Sequence, residues 1–153
     1  MASAAKTTNL ALPQWTADEK PERADFNAAL LALDGAVIVA SGSNAYGDYV
    51  KFATGMMICT FEMTPAAGST NDDGAFLSPA FGWTFPVPFY SKPKTSESIV
   101  YSVATGAYPL GVTRIAGSDY TTAAKGNLYV CYHKAHATVQ ARVSLIAIGP
   151  WKA

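Results

Sequence analysis

The spacing of apolar residues changes period once along the chain, near residue 39. Before that point Phe26, Leu30, Leu33 and Val37 follow one another at steps of four, three and four within RADFNAALLALDGAVI, residues 23–38. That is the stripe of a helix and the seam of a short coiled coil. Pro21 stands where a helix can begin, and Asp25 suits its electropositive end. The helix is expected over about 24–34. A helix of roughly three turns is marginal alone in water, so it needs other helices or a sheet to lie on, and the stripe fits either. Upstream, residues 1–8 are small and polar and predict a flexible tail. Residues 9–22, NLALPQWTADEKPE, carry Leu10, Leu12 and Trp15 in a proline-broken stretch suited to docking on a partner.

Beyond residue 39 the pattern is that of strands. VASGSNAYGDY reads as turn-rich, with Gly42, Asn44 and Gly47 available for tight positions. Strands are expected at 49–53, 57–63, 83–89, 97–104, 110–116, 127–133 and 137–148. In the last, Val139, Ala141, Val143, Leu145 and Ala147 share one face. Gln140, Arg142 and Ser144 share the other until Ile146 and Ile148 take it over. Leu128, Val130 and Tyr132 oppose Tyr129, Cys131 and His133. Pro86 and Pro88 cannot both serve a hydrogen-bonded ladder, so 83–89 is expected to be an edge strand or an extended arm. Residues 64–82, TPAAGSTNDDGAFLSPAFG, form the longest expected loop. The fold class is therefore all-β: an antiparallel β-sandwich, jelly-roll-like or lectin-like, preceded by a short N-terminal helix. Residues 1–45 form the N-terminal segment with the helix, and 46–153 form the sandwich.

Composition strengthens this reading. Of 153 residues, 50% are hydrophobic and only 14% charged, the balance of a packed core. Eleven Lys plus Arg cancel eleven Asp plus Glu, so the electrostatic basis for nucleic-acid binding is missing. No run of about 20 apolar residues predicts a membrane-spanning helix. The start, MASAAKTTNLALPQW, lacks the features of a secretory signal.

The search for chemistry yields little. Cys59 and Cys131 lie in apolar strand-like runs and read as free buried thiols, although sheet neighbours could bring them together. His133 and His136 have a metal-like spacing but too few companions for zinc. Asn71, Asp72 and Asp73 resemble a fragment of a calcium loop without its closing glutamate. No nucleophile elbow, phosphate loop or carboxylate pair appears. No catalytic residue, no metal and no cofactor is expected. Exposed aromatics next to short polar side chains suit sugar faces and protein surfaces alike. The loop residues Tyr108, Tyr120, Asn71 and Asp72 are the expected ligand contacts.

Three segments carry a family resemblance. GDYVKFATGMMICTFEM, through Gly47, Tyr49, Val50, Lys51, Phe52 and Gly55, resembles the opening of C-terminal domains of phage tail-fibre proteins. WTFPVPFYSKP resembles a second segment of that family through Thr84, Phe85, Pro86 and Phe89. The close, VSLIAIGPWKA, resembles its ending through Ala147, Ile148, Gly149, Trp151 and Lys152, with Pro150 where an Arg is commoner. Asp25, Phe26 and Asn27 resemble the helix-leading segment of phage tail and appendage proteins.

The resemblance covers about 46–153. It implies a virion location, a homotrimer, attachment to other virion proteins through the N-terminal segment, and a tip that binds a host-surface glycan or protein. It implies neither nucleic-acid binding nor membrane insertion. A purely structural baseplate, head-fibre or capsid-surface component is the alternative, and a polysaccharide depolymerase has no carboxylate pair to support it.

Overall fold

The computed structural model describes residues 5, 6, 12–14, 20, 22–72, 75–102, 109–114, 120–135, 137, 138 and 140–153. Tyr108, His136 and most of the expected N-terminal tail lie outside them. Two-residue strands β1 (Ala5–Lys6) and β2 (Pro13–Gln14) pair antiparallel. Helix α1 (Arg23–Ala36) follows. Its first turn is closed by Glu22 N–H, which donates to the Asp25 carboxylate at 3.3 Å. The β-branched run Val37-Ile38-Val39 then ends the helix and favours extended backbone.

Ten further strands build two antiparallel sheets. The first sheet has the order β3-β4-β5-β12-β9. It is made of β3 (Ile38–Asn44), β4 (Gly47–Phe52), β5 (Met56–Met63), β9 (Lys94–Ser102) and β12 (Ala141–Pro150). The second contains β6 (Thr70–Asp72), β7 (Ala75–Leu77), β8 (Phe81–Thr84), β10 (Pro109–Arg114) and β11 (Ala124–Tyr132). Its path runs β10-β11-β7-β6, and β8 pairs with β11 next to β7. This is the expected sandwich with a preceding helix.

The inward faces close on one core. Met57, Cys59, Val143, Leu145 and Ala147 from the first sheet meet Trp83, Leu128, Val130 and Tyr132 from the second, all buried. Trp83 stacks on Phe61, and its edge meets Phe85, whose ring meets Phe89 in turn (centroids at 6.5, 4.9 and 5.1 Å). The Trp83 indole N–H donates to the Tyr46 carbonyl at 2.9 Å, so this core ring leaves no polar atom unsatisfied.

Three local expectations change. The turn-rich stretch 39–49 is strand β3, a tight turn at 45–46 and the start of β4. It was hidden because β3 is an edge strand, exposed at nearly every position, and so carries no hydrophobic alternation. The loop expected over 64–82 contains the β6–β7 hairpin and the start of β8. The strand expected over 83–89 stops at Thr84; beyond it the chain bends at Pro86 and Val87 instead of running as an extended arm, and still buries Phe85 and Phe89.

One irregularity places a charge in the core. Between Lys125 and Leu128, β11 spends one residue more than its partner β8, and Asn127 takes a φ of 53°. This β-bulge turns both Lys125 and Leu128 inward. Lys125 Nζ crosses the gap between the sheets to the Thr95 hydroxyl and the Glu97 carboxylate on β9.

Candidate functional site

The strand directions sort the molecule into two ends. At one end β3 leaves α1, β4 turns into β5 at 53–55, and β12 finishes. We call this the helix end. At the far end lie the 45–46 turn, the segment after Met63 and the segment leading into Ala141.

The residues that carry the family resemblance interlock mainly at the helix end. Gly55 N–H donates to the Phe52 carbonyl, and Trp151 N–H donates to the Gly55 carbonyl, both at 2.9 Å. The Trp151 indole N–H donates to the Phe52 carbonyl at 2.9 Å, and Tyr90 N–H donates to the Pro150 carbonyl at 2.8 Å. Lys51 Nζ lies 5.0 Å and Lys152 Nζ 5.2 Å from the centre of the Trp151 ring, both within cation–π range. Gly149 is required by close approach, since a Cβ there would lie 2.9 Å from the Pro93 Cα. Gly47, at the other end of β4, has a φ of 119° and no room for a Cβ beside the Thr60 carbonyl. These groups close the C-terminal strand onto the β4–β5 turn and the 85–90 segment. Their work is architectural.

The far end holds an open cleft of about 660 Å³ lined by residues 67–70, Pro79, Ala135 and Ala137. Ser69 Oγ donates to the Lys134 carbonyl at 3.4 Å, which ties the two walls together. Buried Ser78 supports the floor: its N–H donates to the Val130 carbonyl and its hydroxyl accepts from Val130 N–H. Among the described residues the lining is proline, small side chains and backbone.

Asn71 and Asp72 stand on β6, which continues from the cleft wall at Thr70 into the hairpin with β7. Asn71 is exposed. Tyr120 does not join them. It bridges to Lys125 at one end of β11, whereas β7 pairs with Cys131 and Tyr132 at the other, roughly 20 Å away along the strand. The Tyr120 ring is half-buried against the core, with Lys125 Nζ at 5.5 Å and Lys92 Nζ at 5.9 Å from its centre. The described cleft residues gave no sequence signal, because alanine, glycine, serine, threonine and a lone proline mark no chemistry.

Cys59 and Cys131 are both free. Cys59 points into the core from the first sheet, while Cys131 lies on the outward face of β11. Burial pushes the Cys59 thiol up to about 11, and burial also raises the Cys131 thiol. Neither is a thiolate near neutral pH, and a nucleophile needs the thiolate. His133 is exposed. Among the described residues no three of His, Cys, Asp and Glu gather as a metal site, and no helix is long and apolar enough to cross a membrane.

No family model and no curated protein matches the sequence. Three solved structures resemble it, all of pyocin fibres, two of them from P. aeruginosa. They are the C-terminal part of the R2 pyocin fibre (13% identity, TM-score 0.45), an N-truncated R2-type tail fibre (13%, 0.45) and the C-terminal part of the R1 fibre (17%, 0.40). The matches cover 91 to 93% of this chain, which spans only 30 to 45% of those chains.

Proposed function

We propose that this protein is a phage virion component, a tail-fibre tip that binds a host-surface glycan or protein and has no catalytic role. The observation that carries the reading is the polarity of the molecule. The helix and the interlocked C-terminus occupy one end, and the open cleft with its Asn71–Asp72 hairpin occupies the other. A protein attached through its N-terminal segment would present the cleft outward. The tail-fibre-like segments support the assignment to a virion, since their residues serve the same sandwich here. The concave cleft supports binding, as ligand sites are commonly clefts of this size. Asn71, Asp72 and Tyr108 are the contacts we assign to the ligand; Tyr120 belongs to the opposite part of the second sheet. In this reading the chain is a homotrimer, with Phe26, Leu30, Leu33 and Val37 forming the seam between helices.

The test is binding of the fluorescently labelled full chain to susceptible and resistant host cells, together with gold labelling of the protein in intact particles. Saturable binding to susceptible cells alone, with label at the tips of fibres, is expected. Absence of cell binding by the intact assembly, or label on the capsid or baseplate, overturns the receptor-binding role and favours a purely structural part.

A further inference from the structure

Charge on the sandwich is sorted by end. Lys51, Lys92, Lys94 and Lys152 all stand at the helix end. Lys51 is near the close of β4, Lys92 and Lys94 are at the entry to β9, and Lys152 lies just past β12. Asp48, Glu62 and Asp72 stand toward the far end. Glu97 is engaged by Lys125 in the interior, and Glu62 by Arg142. Among the described residues none of the four helix-end lysines has such a partner; no carboxylate, on the sheets or on α1, pairs with them.

The strand order places the four on one rim. β4, β5, β12 and β9 lie side by side, so Lys51 and Lys94 are three strand spacings apart, roughly 15 Å. Lys152 stands between them, its side chain running past Gly55. Lys51 is on the inward face of β4, because its cross-strand partner Met57 is buried in the core. It is half-buried, with Nζ 5.8 Å from the centre of the Tyr49 ring and 5.0 Å from that of Trp151. Lys152 Nζ is 5.2 Å from the same indole, so two ammonium groups share one ring. The ring attracts and orders both, but it does not cancel their charge. Neither takes part in the hydrogen bonds that close this end, which use the Trp151 indole and backbone groups.

We propose that this rim docks an acidic segment of a neighbouring virion protein, whose carboxylates meet Lys51 and Lys152 beside the Trp151 ring, flanked by Lys94 and Lys92. The occupant follows from charge and place. Four cations without a counter-charge on one rim are complemented by an anionic partner, and their fields add over a Debye length of ~8 Å. The rim lies at the end where the chain leaves α1, so in the reading above it faces the virion and not the host. The anionic groups of a protein partner there are Asp and Glu. Ammonium groups already ordered on a ring lose little further freedom on binding. The inference rests on the virion attachment in that reading and adds to the N-terminal segment a second contact of defined charge.

Fluorescence anisotropy of a labelled peptide of ten glutamates, titrated with the full chain at low salt, tests the rim. The wild type is compared with Lys51→Gln plus Lys152→Gln, and with Lys134→Gln plus Arg142→Gln, which loses the same charge at the far end. The rim pair is expected to weaken binding at least tenfold and the far-end pair less than twofold. Equal weakening by both, or none by the rim pair, overturns the docking surface. Tighter binding to phosphatidylglycerol vesicles than to the peptide, lost in the rim pair, overturns the protein partner and assigns the rim to a phosphate-bearing surface. Carbodiimide cross-linking of intact particles needs no variant and so is independent of any folding defect. It is expected to join Lys51 or Lys152 to an Asp or Glu of another virion protein. Cross-links from both lysines confined to this chain overturn the inference and leave receptor binding standing. Absence of the chain from the particles overturns the reading and the inference together.

Discussion

The two ends of the sandwich are built on opposite plans. At the helix end, Phe52, Gly55, Tyr90, Pro150 and Trp151 lock one another through backbone and indole hydrogen bonds, and two lysines lie over the Trp151 ring. At the far end an open cleft is lined by alanine, glycine, serine, threonine and proline. The two ends make different demands on the sequence. The segments resembling tail fibres supply closure, which requires particular rings and glycines at fixed places. The described residues of the cleft are mostly small, and small residues leave no motif.

Lys125 ties the two sheets together across the interior. Lys125→Ala would leave the Glu97 carboxylate in the gap between the sheets without its partner, at a cost of ~3–5 kcal/mol. A double variant, Lys125→Met with Glu97→Leu, removes both charges and is expected to lose far less. Chemical denaturation checks both. Equal losses for the single and double variants would show that the methylene packing of Lys125, rather than its charge, carries the effect.

Trp151→Ala tests the lock at the helix end. It removes an indole N–H bond to Phe52 and a half-buried ring, an expected loss of ~2–4 kcal/mol. Thr70→Ala on the cleft wall is expected to change stability by less than about 0.5 kcal/mol. Urea midpoints at constant m compare the two. Similar losses would erase the division into a closing end and an open end.

Alkaline pH reaches the same half through the core. Cys59, beside Tyr49 and Ala147, has its thiol raised from 9.0 to about 11 by burial. The folded protein therefore keeps a proton that the unfolded chain releases. This stabilisation is complete below pH 9 and is lost as pH rises through 11, up to ~2 kcal/mol. Burial raises Cys131 and Tyr132 in the same sense. The thermal midpoint is expected to fall between pH 9 and 11, and Cys59→Ala is expected to flatten that fall. An unchanged slope in Cys59→Ala would assign it elsewhere.

How much of this was legible depended on which face a residue serves. The alternation over 141–148, including the switch to outward Ile146 and Ile148, reproduces the observed strand because one face is buried throughout. The helix was legible from its stripe, and the end of β8 from the prolines that follow it. Strand β3 was not, because Ser41, Gly42, Ser43 and Asn44 are polar or small on both faces. The β6–β7 hairpin left a trace in Asp73-Gly74, a turn pair followed by Ala-Phe-Leu, but its strands are only three residues long. The inward Lys125 depends on the bulge at Asn127, and strict alternation cannot foresee a one-residue insertion. Of the expected contacts, Asn71 and Asp72 lie next to the cleft wall. Tyr120 fills space against the core, a distinction that composition does not make.

The smallest expected change in stability belongs to the cleft. Ala135 is exposed on the cleft wall, so Ala135→Trp fills the opening without entering the core. Exposed Asn71→Ala shortens a side chain on the adjoining hairpin strand. Each is expected to stay within about 0.5 kcal/mol of the wild type, a shift of ~2 °C or less in thermal midpoint for a chain of this size. Under the receptor-binding reading, both lower binding to susceptible cells at least tenfold at unchanged assembly mass. Ala135→Trp has the larger effect because it blocks the whole opening, whereas Asn71→Ala removes one polar contact. Cell binding measured beside sedimentation separates a lost contact from a lost assembly. If Ala135→Trp binds like the wild type, the cleft is not the recognition surface. If it binds weakly only because the midpoint has collapsed, the far end contributes to cohesion as the helix end does, and the contrast between them fails.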